Sequence, residues 1–341
     1  MSDELKQLVD EIGARSSAAL VGHHRLPEAF DEDLWRVLET SGLTRLTSDQ
    51  GADPADAAVV LGGLARHSAT VPIAETDLLA AWLAGRAEQT VPTEGPLTVA
   101  VADVEPVAGR IVGTAVDVPW PGVGPVVLAA LSADATFVAV LDPGPATGTY
   151  NLAGEPRGEV PFDLPVDEMT RLPRSVGDEL LRRGAWARCV QIVGAFDAAV
   201  HLTSAHTRER VQFGRPLSAF QAVQHSLAAM IGEVERSRAA TALAIAAAND
   251  HGFDSARADV AVTAAKVAVG RAVAPVTTIA HQLHGAIGVT IEHQLWLATM
   301  RARSWADEFG TTGQHATRLG RLALAEDDVW TLIVGADRST P

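Results

Sequence analysis

Arg210-Val211-Gln212-Phe213-Gly214-Arg215-Pro216-Leu217, answered about seventy residues later by Gln282-Leu283-His284-Gly285-Ala286-Ile287-Gly288, decides how this chain is read. Both segments lie at the ends of long apolar stripes. Trp186, Cys189, Val193, Phe196, Val200 and Thr203 step by three and four ahead of the first, and Phe220, Val223, Leu227, Met230 and Val234 do so after it. Such spacing lays one apolar face along each helix, and Pro216 marks the break between the two. A third helix is expected from about 255 past 267 to 283, with Pro275 kinking it or opening its second part, and a fourth over 296–308. Four long helices in the second half predict a bundle.

Upstream the pattern changes. Leu34, Trp35, Leu38 and Leu43, then residues 59–64 and 78–83, read as helices. From about residue 93, the runs 97–101, 110–113, 126–130 and 137–141 are short and strand-like, with Gly- and Pro-rich turns at 119–125 and 142–148. The expected fold class is α+β, mainly α: a helical N-terminal domain over 1–92, a small β domain over 93–165 and a C-terminal four-helix bundle over 166–341.

Bulk properties narrow the function. At 341 residues the chain exceeds the roughly 250–300 at which single cores stop growing, so more than one domain is expected. No uncharged apolar run approaches the roughly 18 residues needed to cross a bilayer, and no membrane anchor is expected. The opening Met1-Ser2-Asp3-Glu4-Leu5-Lys6 is acidic and charged, unlike a signal peptide. Cys189 is the one cysteine, which rules out an internal disulfide and a cysteine zinc site and suits a reducing cytoplasm. Adjacent His23 and His24 point different ways on a helix and have no third ligand at useful spacing, so no metal site is expected. The formal charge of −15, from 42 acids against 27 Lys and Arg, repels a polyphosphate backbone at long range and excludes nucleic acid as a partner. A phosphate-bearing ligand must then be held by a local set of donors.

The two quoted segments supply such a set. Arg210 offers a forked, permanently charged donor suited to diphosphate oxygens, and Gln212 and Gln221 add neutral donors. Charge-assisted bonds of this kind contribute roughly 1.5–3 kcal/mol each. Gly285 and Gly288 remove side chains where backbone must pass close to a ligand, and Gln282 can donate to a ribose or diphosphate. Each residue has an ordinary alternative: Arg210 with Glu209 as a solvated helix end, Phe213 as core, Gly285 to Gly288 as a helix C-cap, His284 and His293 as capping or packed residues. Their order and spacing together favour the diphosphate site.

A helical domain, a β domain and a bundle in this order, with Arg-x-Gln-Phe-Gly at the first bundle turn and Gln-Leu-His-Gly-x-x-Gly after the third helix, resembles the acyl-CoA dehydrogenase family over nearly the whole chain. Phe220-Gln221-x-Val223, Val289-Thr290 and Glu292-His293 add to these bundle signatures. The run Val71-Pro72-Ile73-Ala74-Glu75-Thr76-Asp77 is similar to the family's short actinobacterial members. The resemblance implies that Arg210, Gln212, Phe213, Gln221, Gln282, His284, Gly285 and Gly288 hold the adenosine diphosphate half of FAD bound mainly to a neighbouring subunit. It also implies an acyl-CoA substrate. Family chemistry removes a proton alpha to the thioester carbonyl and passes a beta hydride to the flavin, and so needs a positioned carboxylate base.

The chain departs from the family pattern at that base. Matching Met300-Arg301-Ala302-Arg303 and Phe309-Gly310-Thr311 without gaps puts Phe309 where many members carry the catalytic Glu, and the alternative base position falls near Gly184-Ala185. None of these side chains can take a proton. Asp307 and Glu308 are the nearest carboxylates, but one helical step turns a side chain by about 100°, so both read as a solvated helix end. Val104-Glu105-Pro106-Val107-Ala108-Gly109 is all that stands for the family's Thr-Glu-Pro-x-x-Gly-Ser-Asp type of segment beside the flavin ring. Trp120 and Trp186 read as packed aromatics rather than the lining of an acyl cavity. The resemblance with its departures implies a chain with no catalytic residue of its own, the non-catalytic or half-site subunit of an α2β2 enzyme. A larger catalytic acyl-CoA dehydrogenase subunit is its partner, an alpha,beta double bond in a steroid-type CoA thioester its product, and electron-transfer flavoprotein a candidate acceptor. The alternatives are a homotetramer using Glu308 or Asp307 as base, and a structural paralogue that binds no flavin.

Overall fold

The computed structural model describes residues 2–20, 25–142, 149–290 and 293–329. His23, His24, Glu292, most of the turn over 142–148 and the last residues assigned to the bundle lie outside the described residues. The N-terminal helices are α1 (Ser2–Leu20), α2 (Glu32–Thr40) and α3 (Pro54–Arg66). Asp31 caps α2 by accepting from the Leu34 N–H, and Asp53 caps α3 by accepting from Asp56, with Pro54 in the first turn where its missing N–H costs nothing. A π-helical stretch, Glu75–Ala81, then runs into α4 (Trp82–Arg86), and all seven of its residues are buried, Glu75 and Asp77 among them.

The β domain has two sheets. β1 (Thr98–Asp103) pairs in parallel with β3 (Val126–Leu131), and β4 (Ala135–Leu141) and β7 (Thr170–Pro173) extend that sheet antiparallel. The second sheet runs β2 (Arg110–Pro119), β6 (Pro156–Pro165), β5 (Thr149–Tyr150). Alternation decides which side chain goes where. On β3, Val127, Ala129 and Leu131 face the large core shared with the helices, while Val126, Leu128 and Ala130 face a second core with Ile111, Ala115 and Phe162. A strand buried on both faces reads as a continuous apolar run, as 126–130 does.

The bundle begins with α5 (Arg174–Glu209), which leads through a hairpin, β8 (Val211–Gln212) and β9 (Arg215–Pro216), into α6 (Gln221–His251), α7 (Ala256–His284), α8 (Gln294–Trp305) and α9 (Thr312–Leu324). Ser255 caps α7 by accepting from Ala258, and the helix passes through Pro275 without ending. By length and composition the stretch Ala256–Val289 is apolar enough to cross a bilayer, but more than half of its most apolar window is buried inside the protein.

The structure differs from the sequence reading in four places. The first sheet continues through β7, past residue 165, so the bundle starts at Arg174. β6 escaped notice because Pro156, Pro161 and Pro165 interrupt it. Pro161 pairs with Thr114 on one side, and the two-residue β5 ends before reaching it on the other, so its missing donor is not needed. α8 stops at Trp305, which places Glu308 in a turn rather than on a helix, because Lys266 Nζ takes the carbonyls of Ala306 at 2.9 Å and Glu308 at 2.7 Å. A further helix, α9, follows, begun by a capping box between Thr311 and Gln314.

α3 and α5 cross where both are reduced to backbone. A Cβ on Gly194 would lie 2.2 Å from the Gly62 carbonyl oxygen, a contact no side-chain rotation can relieve. Gly194→Ala is expected to destabilise the fold by about 1–3 kcal/mol, read as a lower urea midpoint with unchanged slope.

Candidate functional site

The first quoted segment forms the hairpin at the end of α5. The Arg210 N–H donates to His206 O at 2.9 Å, closing the helix, and its own carbonyl accepts from Leu217 at 2.9 Å, closing the hairpin. The two turn residues, Phe213 and Gly214, both have positive φ, +52° and +77°, the backbone hand that suits a two-residue hairpin. Phe213 is carried at the tip, 91% exposed, with Phe220 edge-on at 6.2 Å and the Arg215 guanidinium stacked over Phe220 at 4.1 Å.

The second segment ends α7. Gln282 is exposed, and Gly285, at φ +68°, has open space where a Cβ would project. Gly288 is different. It is buried, and a Cβ there would meet the His284 Cβ at 2.7 Å, so it serves packing. His284 is also buried, its Nδ1–H donating to Ala280 O at 2.8 Å, and burial pushes its pKa down to about 4. The His284 ring stacks on His206 of α5 at 4.5 Å, with the ring of His293 across it at 5.0 Å. This stack joins the last turn of α5 to the end of α7.

Arg210, Gln212, Gln221 and Gln282 are all exposed, and none commits its side-chain donors to another group within the described residues. Glu209 does not pair with Arg210. One forked cation, three amides and an open glycine turn are donor types that suit diphosphate oxygens and sugar hydroxyls, the chemistry that the dinucleotide half of FAD would need. Among the described residues no group of three or more His, Cys, Asp or Glu is arranged to hold a metal ion.

A second polar region lies where the three domains meet, and it is filled with charge. Arg301 reaches Glu28 at 2.5 Å and Glu155 at 3.7 Å, and Arg157 reaches Glu155 at 3.4 Å and Glu308 Oε1 at 2.5 Å. Arg188 takes Glu308 Oε2 at 2.6 Å and Glu75 at 2.5 Å. Trp305 Nε1 donates to Glu155 at 3.0 Å, and Arg188 adds Gln191 at 2.6 Å. Burial works against ionised Glu308, but Arg188 and Arg157 outweigh it and hold its pKa down to about 2. At the far end, burial pushes Glu28 up to about 7 against the pull of Arg301, with Glu155 adding to the rise. The void left beside Glu75, Arg157 and Arg188 is about 10 Å³, room for about one water.

Phe309 closes this junction. It sits at φ +54°, and its ring occupies the space left by Gly184, where a Cβ would lie 2.3 Å from the ring. The two positions at which the resemblance places a base therefore touch each other, and neither carries a carboxylate. Asp307 is exposed. Trp120 is buried against the edge of Phe30, and Trp186 against the edge of Phe253.

The family description "Acyl-CoA dehydrogenase, C-terminal domain" matches residues 175–324. Acyl-CoA dehydrogenase IpdE2 of Mycolicibacterium smegmatis is 30% identical over 346 residues, covering 94% of this chain and 98% of that protein. The chain belongs to the acyl-CoA dehydrogenase family. Among solved structures, the ChsE4-ChsE5 complex from Mycobacterium tuberculosis superposes with a TM-score of 0.82 at 23% identity, over 96% of this chain and 98% of the other. A variant of the Tcur3481-Tcur3483 steroid ACAD gives 0.78 at 26% identity, over 95% and 98%.

For an acyl-CoA dehydrogenase chain, the charged junction is the feature that sequence reasoning missed. Its members come from residues 28 to 308, and no local motif joins them. The available signal was weak: Arg188 and Glu75 are charges set inside apolar helical runs, and such charges are rarely buried unless paired.

Removing one partner of a buried ion pair leaves the others uncompensated, so Glu308→Gln is expected to cost about 3–5 kcal/mol in denaturant unfolding. The sign with pH follows from the lowered pKa. The contribution of Glu308 is present above its ordinary value of 4.5 and is lost as pH falls toward about 2. Across that window the Glu308→Gln variant should lose less stability than the unaltered chain.

Proposed function

We propose that this chain is the non-catalytic or half-site subunit of a heterotetrameric acyl-CoA dehydrogenase that introduces an alpha,beta double bond into a CoA thioester. Its role is to lend Arg210, Gln212, Phe213, Gln221 and Gln282 to FAD seated mainly in a larger catalytic partner. The observation that carries the reading is Glu308 clamped between Arg157 and Arg188. A carboxylate held so far below neutrality is a poor acceptor for a carbon-bound proton, and both its oxygens are already engaged. The alpha proton must then be taken by the partner.

What this chain supplies is binding. Arg210 would offer its forked donors to the diphosphate oxygens and Gln282 an amide to ribose or diphosphate, and the backbone around Gly285 would allow close approach because no side chain intervenes. FAD, when bound, supplies the hydride acceptor. The names ChsE4-ChsE5 and Tcur3481-Tcur3483 each pair two chains, which favours a heteromeric assembly here, and the steroid label on the second favours a bulky steroid-derived acyl group. Electron-transfer flavoprotein is the acceptor to supply in the assay.

The test is to purify the chain alone and co-expressed with a neighbour-encoded dehydrogenase partner. Alone it is expected to be colourless and inactive. The complex is expected to be yellow, with one FAD for each pair of unlike chains. Arg210→Ala in this chain should weaken FAD binding about 10- to 100-fold, as loss of a charge-assisted contact implies. A yellow, active homo-oligomer of this chain would overturn the proposal, and an Arg210→Ala complex with undiminished FAD would leave a structural role only.

A further inference from the structure

Arg210 and Gln282 end two different helices, and a diphosphate can be gripped by both only if those ends keep a fixed spacing. One contact between those two ends lies outside the exposed donors. His206 is in the last turn of α5, and its carbonyl receives the Arg210 N–H at 2.9 Å. His284 is two residues past Gln282 and directly precedes Gly285. Their rings are stacked, with centroids 4.5 Å apart and planes inclined by 21°.

His284 is itself tightly placed. A carbonyl can only accept, so the bond to Ala280 O puts the proton on Nδ1 and leaves a lone pair on Nε2. That Nε2 is buried and has no partner. Hydrogen bonding therefore does not hold the outer edge of the ring, and flat contact with His206 and the ring of His293 does. Burial keeps His284 uncharged at neutral pH, so no cationic repulsion from this ring opposes the contact. Gly288 lies against the His284 Cβ, so the turn after α7 follows wherever that ring is placed.

We propose that His206 is a positioning residue for the flavin dinucleotide: by stacking on His284 it fixes the Arg210 end of α5 against the Gln282 end of α7, so that both address one diphosphate. This rests on the reading above that the exposed edge binds FAD. A donor set already held in its bound spacing loses less freedom on binding. The role needs a flat ring at 206, not an imidazole.

The test uses the co-expressed complex, stripped of flavin and titrated with FAD by fluorescence. His206→Ala is expected to raise the Kd for FAD about tenfold, whereas His206→Phe, which keeps a flat ring, should stay within about twofold of the unaltered complex. The loss should fall on the Kd and not on turnover per bound flavin. His206→Leu fills the volume without a flat ring and carries the same test if the alanine variant does not assemble. An unchanged Kd in His206→Ala or His206→Leu, or an equal loss in His206→Phe, would overturn the proposal. Arg210→Ala run in parallel separates the two claims: undiminished FAD binding there sinks the flavin reading itself, while loss there with none at position 206 sinks only the stack.

Discussion

Glu308 lies between two buried guanidiniums, and that clamp joins parts of the chain far apart in sequence. Arg157 comes from β6 and Arg188 from the middle of α5, so one carboxylate ties the β domain to the bundle. The chain of charges continues outward to Glu75 and Glu28 in the N-terminal domain and back to Arg301 on α8. Burying an ion is expensive, and mutual attraction offsets the cost only where geometry is good and further hydrogen bonds satisfy what remains. Here acid and base alternate along the chain, and the condition is met around Glu308, both of whose oxygens accept hydrogen bonds, but not at the far end, where Glu28 Oε1 and Arg301 Nε and Nη1 are buried without a hydrogen-bond partner. The extra negative charge of four carboxylates over three guanidiniums falls on Glu28, the one whose pKa burial lifts to about 7. The same three parts of the chain also share one continuous, close-packed apolar core.

The turn that delivers Glu308 is held with matching care. Lys266 takes the carbonyls that would have continued α8, His315 Nε2 engages Phe309 O at 3.0 Å, and Phe309 accepts a left-handed backbone to seat its ring on Gly184. A bulky residue at positive φ carries a conformational cost, and here the surrounding contacts over-determine it. Each contact also removes space. The junction ends with room for about one water, so the same interactions that lock the domains together leave no pocket there for a ring system or an acyl chain.

How much of this could be read from sequence follows from whether the signal is local. The strands β1 to β4 were legible because their apolar runs are short, β-branched and bounded by Gly and Pro. β6 was not, since three prolines disguise it, and α9 was not, since no residue of it is buried and its large apolar residues are confined to its last two turns. The hairpin and the helix end that carry Arg210 and Gln282 were legible because each is a contiguous motif in which that residue stays exposed. The contact that joins them, His206 on His284, was not, because ring stacking between helices leaves no spacing pattern. The charged junction is the extreme case: its members span 280 residues from Glu28 to Glu308, and each alone resembles an ordinary surface charge. Phe309 and Gly184 lay between these limits, since each was recognised as lacking a carboxylate, yet nothing in the sequence said that one fills the space of the other.

Two helices connect the junction to the donor edge, and their length separates the two roles. Arg188 and Arg210 are 22 residues apart along α5 and its cap, roughly 33 Å at ~1.5 Å per residue. On α7, Lys266 beside the junction and Gln282 at the edge are 16 residues apart, roughly 24 Å by the same rise. Both helices are long and continuous, so neither can fold back to bring its donors to the filled junction. On the reading proposed above, Arg210 and Gln282 would grip a ligand whose reactive end lies away from this chain's own junction. That separation lets ion pairs fill the junction without touching the edge: the packing acts near the middle of α5, at Gly184 and Arg188, and the exposed residues at its C-terminal end are left untouched.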